Sequence, residues 1–249
     1  MRLLIVIPAY NEEQSLAALL TEIRSLREPD TEIETIVVDD GSADRTTEVA
    51  RASGARVLRL CRNLGIGGAV QSGLRLARRE NFDFAVQVDG DGQHPPGELR
   101  HLLERARQDP APDLVIGSRF LTKPDPTTFR STVTRRVGIW WLKVLLRLTR
   151  LKVTDPTSGF RLYGKRALRL FDANYPYDFP EPEALAVARA ARLTIAEAPV
   201  KMRERQGGTS SIGPFAAAYY MLKVTLAVLL TYVRAPRRIP EGSDNATSD

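Results

Sequence analysis

Residues 84–93 read FAVQVDGDGQ, a short apolar run followed at once by two aspartates that are one residue apart. The run is typical of a buried strand, and the two glycines allow the chain to turn sharply where the strand ends. Asp89 and Asp91 are therefore expected at the carboxyl end of a strand, where open α/β sheets bind their ligands. This pattern can hold Mg2+ or Mn2+ and, through it, a nucleotide diphosphate, although Asp and Gly are also ordinary turn residues.

Outward from this stretch, apolar runs alternate with helical patterns. Five runs have the composition of strands: LLIVI (3–7), TIVVDD (35–40), RVLRL (56–60), FAVQV (84–88) and DLVIGS (113–118). The alternation predicts an α/β fold, with a mostly parallel central sheet and helices on both faces. Polar residues follow four of these runs, and parallel strands would bring them to one edge of the sheet.

Composition narrows the class of protein. The chain has 249 residues, 43% of them hydrophobic, which is enough to bury a core without disulfides. Its single cysteine fits a reducing compartment, and with two histidines a zinc site of the usual ligands is not expected. The apolar run before Pro8 is too short for a signal peptide.

Positive charge is concentrated in the middle of the chain. Residues 119–169 carry 13 Lys and Arg against 2 Asp and Glu, whereas residues 1–118 carry 14 against 19. The excess predicts contact with phosphate groups or an anionic membrane surface. Nucleic acid is not expected as a partner, because regularly spaced stacking aromatics and a nucleic-acid-binding motif are missing from the sequence.

Six stretches together resemble one family: IPAYNE (7–12), VVDDGSADRT (37–46), NLGIGGAVQSG (63–73), VDGDGQHPP (88–96), GSR (117–119) and DPTSGFRLYGKRAL (155–168). The chain resembles the family 2 glycosyltransferases, in the branch with dolichyl-phosphate mannosyltransferase and the bacterial polyprenyl-phosphate sugar transferases. The resemblance implies a GT-A type nucleotide-diphospho-sugar transferase fold. It also implies an inverting, metal-dependent enzyme that moves a sugar from a UDP- or GDP-sugar to a polyprenyl phosphate. The mannosyltransferases often have DAD where this chain has DGD, so the resemblance leaves the identity of the transferred sugar open.

The resemblance also assigns residues to the donor side. Residues expected at the nucleoside diphosphate sugar are Pro8, Ala9, Tyr10, Glu12, Asp39, Asp89, Gly90 and Asp91. Residues expected at Mg2+ or Mn2+ are Asp89, Asp91 and Gln93. Asp91 and Arg119 are the expected catalytic residues, since a metal and a guanidinium can both neutralise charge during transfer.

The acceptor side is expected to be basic. A phosphate monoester is already anionic, so it needs positioning rather than a general base. Residues expected at the acceptor phosphate are Arg119, Arg130, Thr134, Arg203 and Arg205. Asp155, Ser158, Gly159 and Arg161 match the family's segment beneath this site, although DPTSG also fits a plain turn.

Two segments predict helices at a membrane interface. Residues 131–150 combine a basic face with a wide apolar face that contains two tryptophans, and residues 214–233 are almost wholly apolar. Because Lys223 lies near the middle of the second segment, a helix that rests on the membrane is favoured over one that spans it. Packing in the core or in a homo-oligomer is the alternative. We expect a peripheral protein on the cytoplasmic face of the membrane.

The predicted organisation follows from these patterns. A catalytic domain is expected over residues 1–210, with its basic acceptor-facing and membrane-facing part at 119–169. An apolar interface helix is expected over 211–235 and a disordered tail over 236–249.

Two other functions stay open. In the first, the acceptor is a hydroxyl of a glycan or lipid, and Glu183 in DFPEPEAL is the candidate base, with Glu181 beside it. In the second, the protein is a nucleotide-binding membrane scaffold without turnover.

Overall fold

A computed structural model describes residues 1–121, 133–148, 151–203 and 214–234, with the backbone alone for 133–137, 139, 148 and 214–222. The strands are β1 (Arg2–Ala9), β2 (Glu32–Asp39), β3 (Arg56–Arg59), β4 (Phe84–Gln87), β5 (Leu114–Ser118), β6 (Arg161–Gly164) and β7 (Ile195–Pro199). The helices are α1 (Leu16–Ser25), α2 (Thr46–Ala52), α3 (Gly65–Arg79), α4 (Leu99–Ala106), α5 (Val133–Leu148), α6 (Lys165–Asn174), α7 (Pro180–Ala190) and α8 (Pro214–Arg234). A short 3-10 helix, Pro96–Glu98, precedes α4.

The strands form one mixed sheet in the order β3-β2-β1-β4-β6-β5-β7. β1 pairs in parallel with β2 and β4, and β5 pairs in parallel with β7. β6 is antiparallel to both of its neighbours, β4 and β5. The prediction of a mostly parallel α/β sheet is confirmed.

A buried core lies on each face of the sheet. β1 is central, and its residues Leu3 to Ile7 are fully buried because helices cover both faces. Leu19 and Leu103, from α1 and α4, pack on one face. Leu74 and Phe171, from α3 and α6, pack on the other, together with parts of α5, α7 and α8.

β6 and β7 were not among the strands predicted from the sequence. β6 reads RLYG, and all of its residues are buried. Because Arg161 and Tyr163 end in polar groups, this stretch lacks the apolar sequence pattern that indicates a buried strand. β6 inserts between β4 and β5, so the DGD stretch after β4 and the GSR stretch after β5 are separated by the width of one strand.

α5 and α8 belong partly to the core. Leu142 and Leu146 of α5 are buried, as are Val224 and Val228 of α8. The indole Nε1 of Trp141 donates to the Thr225 hydroxyl at 2.8 Å and joins the two helices. Within the described part of the chain, no helix has the length and apolarity needed to cross a bilayer.

Candidate active site

The carboxyl ends of β1 and β2 are joined by hydrogen bonds from the backbone of one to side chains of the other. Asn11, which has a φ of +56°, donates its backbone N–H to Ser42 Oγ at 3.0 Å. The N–H of Glu12 donates to Thr46 Oγ1 at 2.9 Å. These bonds fix the IPAYNE stretch against the DDGSADRT stretch and leave the Tyr10 ring half exposed at the edge.

Asp39 ends β2 as a fully buried carboxylate. One oxygen accepts the N–H of Ser42 at 2.8 Å, and the other accepts the hydroxyl of Thr47. Arg59 Nε lies 3.6 Å from this second oxygen. Burial raises the pKa of the Asp39 carboxyl, but the hydrogen bonds from Ser42 and Thr47 outweigh burial and leave the pKa below its ordinary value. Asp39 is therefore held as a carboxylate beside the sheet edge.

The DGD loop lies directly against the end of β1. Ser15 Oγ donates at 2.8 Å to the carbonyl of Gly90 and lies 2.7 Å from Glu12 Oε2. A Cβ at Gly90 would lie 3.2 Å from the carbonyl oxygen of Pro8, so the position favours glycine. The predicted donor residues of β1, β2 and β4 thus come together at one edge of the sheet.

Asp89 is oriented from several directions. Its N–H donates to His94 Nδ1 at 3.1 Å, and its Oδ1 accepts from Gln87 Nε2 at 3.0 Å. The His94 ring stacks on Phe160, with 5.1 Å between ring centroids. A Cβ at Gly159 would lie 3.2 and 3.3 Å from the two carboxylate oxygens, so only a glycine leaves this side of Asp89 open.

Asp91 and Gln93 form the second half of the loop. Asp91 Oδ1 accepts the N–H of Gln93 at 3.0 Å, and its other oxygen accepts the Gln93 side-chain amide. Because Gln93 Nε2 is used in this bond, its Oε1 is the atom suited to a cation.

The donor set of Asp89, Asp91 and Gln93 fits a hard divalent cation. Mg2+ and Mn2+ take few protein oxygens and complete their coordination with phosphate and water. Among the described residues there is no cluster of three or more His, Cys, Asp or Glu side chains, which is the pattern of an all-protein metal cage. Three oxygen donors from this loop would leave the other coordination positions of such a cation to phosphate and water.

Arg119, expected at the acceptor phosphate, lies in a buried ion pair. Its Nε and Nη2 donate to the two carboxylate oxygens of Asp155 at 2.6 and 2.7 Å, and Nη2 also donates to Thr157 Oγ1 at 2.9 Å. The backbone of this turn is held in turn by Glu197 of β7, which accepts the N–H of Asp155 at 3.0 Å. The guanidinium was expected to bind phosphate through two hydrogen bonds, and in this structure it makes those two bonds to Asp155 instead. The Asp155 carboxylate is fully buried, so Arg119 supplies the positive charge that balances it.

The other predicted acceptor residues are only partly described. Arg203 donates its N–H to the Gln93 carbonyl at 3.0 Å, but its guanidinium forms a 2.8 Å ion pair with Glu22 of α1. Thr134 lies in α5, where its backbone alone is described, and Arg130 and Arg205 lie outside the described residues.

Arg161 joins the DPTSG turn to the start of α7. It is fully buried, and its Nε donates to the Ser158 carbonyl at 2.8 Å. Its Nη2 donates to the Glu181 carbonyl at 2.8 Å, while its Nη1 lacks a hydrogen-bond partner among the described residues. Burial raises the pKa of the Glu181 carboxyl. The positive charge of Arg161 lowers this pKa, whereas the negative charge of Asp89 raises it further.

Glu183, the candidate base, has both carboxylate oxygens engaged. Oε1 accepts the N–H of Phe179 at 3.0 Å, and Oε2 accepts the hydroxyl of Thr231 at 2.8 Å. The side chain is also buried. Glu183 as a base stays a prediction; in this structure its carboxylate binds the start of α7 and the Thr231 hydroxyl of α8.

Comparison with known proteins agrees with this geometry. The family model described as Glycosyl transferase family 2 matches residues 4–171, which include the β1, β2 and β4 edge and the turn that follows α5. The chain belongs to glycosyltransferase family 2.

This glycosyltransferase has relatives with different sugars in their names. It is 34% identical to an undecaprenyl-phosphate mannosyltransferase of Micrococcus luteus over 85% of this chain and 88% of that one. It is 30% identical to a human dolichyl-phosphate beta-glucosyltransferase over 96% of this chain and 78% of that one. Both relatives belong to the polyprenyl-phosphate sugar transferase branch that the sequence analysis named.

A solved structure confirms the fold. Glucosyl-3-phosphoglycerate synthase from Mycobacterium tuberculosis, solved with Mn2+, UDP and glucosyl-3-phosphoglycerate, superposes with a TM-score of 0.70. The superposition covers 94% of this chain and 81% of that one, at 23% identity. At this identity the likeness shows the GT-A fold of the glycosyltransferase and no more.

Three residues that orient this site were missed by the sequence analysis. Gln87 and His94 hold Asp89, and Glu197 holds the Asp155 turn. His94 comes shortly after the DGD motif in the sequence, so its nearness to Asp89 could have been predicted. The role of Glu197 could not be predicted in this way, because it lies in β7, a strand that was not predicted from the sequence.

Proposed function

We propose that this glycosyltransferase moves a sugar from a nucleoside diphosphate sugar, with UDP or GDP as the nucleotide, to a polyprenyl phosphate. The observation that carries the proposal is the DGD loop. Its two carboxylates follow β4, and Gly90 between them lies against the end of β1. The names of the Micrococcus luteus and human relatives support the acceptor class.

On the donor side, Asp89, Asp91 and Gln93 would hold Mg2+ or Mn2+, and Pro8, Ala9, Tyr10, Glu12, Asp39 and Gly90 would surround the nucleotide. A metal held there would neutralise the charge that grows on the departing nucleoside diphosphate. The Mn2+ and UDP named for the Mycobacterium tuberculosis synthase support this assignment.

On the acceptor side, a phosphate oxygen of the lipid attacks the anomeric carbon as the bond to the nucleoside diphosphate breaks. The attacking oxygen carries no proton, so a general base is not required. The engagement of Glu183 by Phe179 and Thr231 supports this mechanism over a hydroxyl acceptor. In-line attack would invert the anomeric configuration, which NMR of the product tests directly.

The basic residues would attract and orient the acceptor. Arg119 would act through Asp155, which it holds beside the site. Arg203 would have to leave its pair with Glu22, an exposed pair of the kind that is weak in water. Arg130, Thr134 and Arg205 complete the proposed set. Apolar side chains exposed on α5 and α8, such as Trp140 and Val233, support a peripheral position on a membrane, and the face that we propose is the cytoplasmic one.

The test measures nucleoside diphosphate release from a panel of UDP- and GDP-sugars, with Mn2+ or Mg2+, with and without a short-chain polyprenyl phosphate. We expect one donor to turn over only when both metal and lipid phosphate are present. Asp91→Asn should abolish turnover, and Asp109→Asn, at an exposed acid after α4, is the matched control. Metal-dependent donor binding with turnover on hydroxyl acceptors alone would overturn the acceptor class. Binding without turnover on any acceptor would indicate a scaffold.

A further inference from the structure

The carboxyl-terminal half of α8 has one face on the protein and one face exposed. Val224, Val228 and the partly buried Thr231 fall on the inner face, at a helical spacing. Leu226 and Val233 fall on the other face and are 56% and 72% exposed. α8 thus packs on α7 while it offers an apolar surface outward.

Glu183 connects this inner face to the first turn of α7. One carboxylate oxygen accepts the Thr231 hydroxyl of α8 at 2.8 Å. The other accepts the N–H of Phe179, the residue that precedes α7, at 3.0 Å. A buried carboxylate with two such partners fixes both elements strongly, because hydrogen bonds to charged groups exceed neutral ones.

The first turn of α7 is in turn bound to the catalytic edge of the sheet. The carbonyl of Glu181 accepts from Arg161 Nη2, and Arg161 Nε donates to the Ser158 carbonyl, both at 2.8 Å. Gly159, the next residue in the chain, lies beside the Asp89 carboxylate on the side where other residues have a Cβ. A path of hydrogen bonds and backbone therefore runs from α8 through Glu183, the first turn of α7 and Arg161 to Gly159, which lies beside the predicted metal ligand Asp89.

The contact between α7 and α8 is partly open near Glu183. A cavity of about 680 Å³ lies between the two helices, and Phe179, Glu183 and Thr231 all line it. Near Glu183 the two helices are therefore not closely packed, and the Glu183–Thr231 hydrogen bond is a polar contact that joins them there.

We propose that Glu183 is a positioning residue that couples the placement of α8 to the start of α7 and, through Arg161, to the edge where Asp89 lies. The proposal rests on the function proposed above, in which α8 meets a lipid surface. α8 seated on lipid keeps Thr231 on Glu183 and orders residues 176–183 for the acceptor phosphate. Glu183 does not touch substrate in this arrangement.

The test changes Thr231, because Glu183 variants lose the α7 cap as well. Thr231→Val removes the hydroxyl, and Thr231→Ser restores it. Thr225→Val is the matched control, because it removes a hydroxyl of the same helix that bonds Trp141 of α5 instead. Three quantities are compared for each protein: binding to phosphatidylglycerol vesicles, amide hydrogen exchange of residues 176–183 with and without vesicles, and turnover.

In the wild type, vesicles should slow exchange of the non-proline amides in residues 176–183 by about tenfold, the effect of about one such hydrogen bond. Thr231→Val should lose this slowing while its vesicle binding stays unchanged, and Thr231→Ser and Thr225→Val should keep it. The proposal is overturned if vesicles leave wild-type exchange unchanged, if Thr231→Val keeps the slowing, or if its slowing and vesicle binding are lost together.

The exchange measurement contains no substrate, so it separates this inference from the proposed function. The expected exchange pattern without lipid-phosphate turnover would overturn the function and leave the coupling intact. Turnover with wild-type exchange unaffected by vesicles would overturn the coupling alone.

Discussion

The ion pair between Arg119 and Asp155 is shielded from solvent on both sides, with side chains 7% and 0% exposed. Removal of one partner from such a pair leaves a buried charge and costs about 3–5 kcal/mol. Lysine in place of Arg119 could not repeat the two-bond grip on the carboxylate. The pair is therefore expected to order the turn at 155–159 before any acceptor arrives.

Arg119→Lys should lower the free energy of unfolding by about 2–4 kcal/mol and reduce kcat, while the KM for lipid phosphate changes little. Urea unfolding and initial rates measure the two effects. Arg166→Lys, at a half-exposed guanidinium that pairs with Asp113, is the control and should change neither. A large rise in the acceptor KM with unchanged stability would instead make Arg119 a direct phosphate ligand.

Asp39 makes stability depend on pH. Its folded pKa is below the ordinary value, so its contribution is present above the unfolded pKa of about 4 and is lost as pH falls through the folded pKa. Thr47→Val removes one of the bonds that lower the pKa. The stability difference between wild type and Thr47→Val should therefore be larger at about pH 6 than at about pH 3, by about 1–2 kcal/mol.

Urea unfolding at the two pH values checks this prediction. Thr21→Val, at an exposed hydroxyl of α1, provides the pH-independent baseline. An equal Thr47→Val difference at both pH values would show that the hydroxyl does not act through the ionised carboxyl.

The site could be predicted from sequence where a residue's role follows from its neighbours in the chain. Asp89, Asp91 and Gln93 lie in one short loop after a strand, so their proximity needed no knowledge of the fold. Arg119 and Glu183 were different, because the partners that occupy them, Asp155 and Thr231, are 36 and 48 residues away. The sequence around a basic or acidic residue does not show which distant group its side chain already binds.

At the scale of elements, α8 and α5 carry the clearest expectation for membrane binding. Burial of a large apolar side chain contributes about 1.5–3 kcal/mol, so a charge in its place should weaken binding to lipid strongly. Leu226→Asp and Val233→Asp should each lower the partition coefficient on phosphatidylglycerol vesicles by about tenfold or more. Cosedimentation measures the partition.

Thr21→Asp on α1 supplies the charge-matched control, since it adds the same charge at an exposed position on another helix. If Leu226→Asp and Val233→Asp leave vesicle binding unchanged but convert a dimer to a monomer, the exposed face of α8 is an interface between copies of the chain.

The elements themselves differ in how well the sequence indicates them. β1, β2 and β4 were evident from apolar runs, because central strands of a parallel sheet are buried on both faces. β6 was not evident, because a buried strand is not expected to contain an arginine. Arg161 is buried here with hydrogen bonds to backbone carbonyls of the DPTSG turn and α7, which the local sequence does not indicate. The order of strands depends on such long-range contacts, so the antiparallel insertion between β4 and β5 could not be inferred from local pattern.

At the scale of the whole molecule, ligand binding should stabilise the fold only when the metal is present. The proposed nucleotide site joins the ends of β1, β2 and β4, which belong to one central sheet, so occupancy of the site opposes global unfolding. A ligand at 100 times its Kd adds about 2.7 kcal/mol, which for a chain of this size raises Tm by about 5–10 °C. UDP or GDP with Mn2+ should produce this shift, and the same nucleotide with EDTA should produce little.

The same measurement assigns the effect to the DGD loop. Asp91→Asn should abolish the metal-dependent part of the shift while it keeps the Tm of the free protein, because the Asp91 carboxylate is expected to hold a cation rather than the fold. Asp109→Asn should behave as wild type. A nucleotide shift that is equal in Mn2+ and EDTA would mean that the diphosphate is held by protein groups alone. In that case the cation would not link donor binding to the carboxylates of the loop.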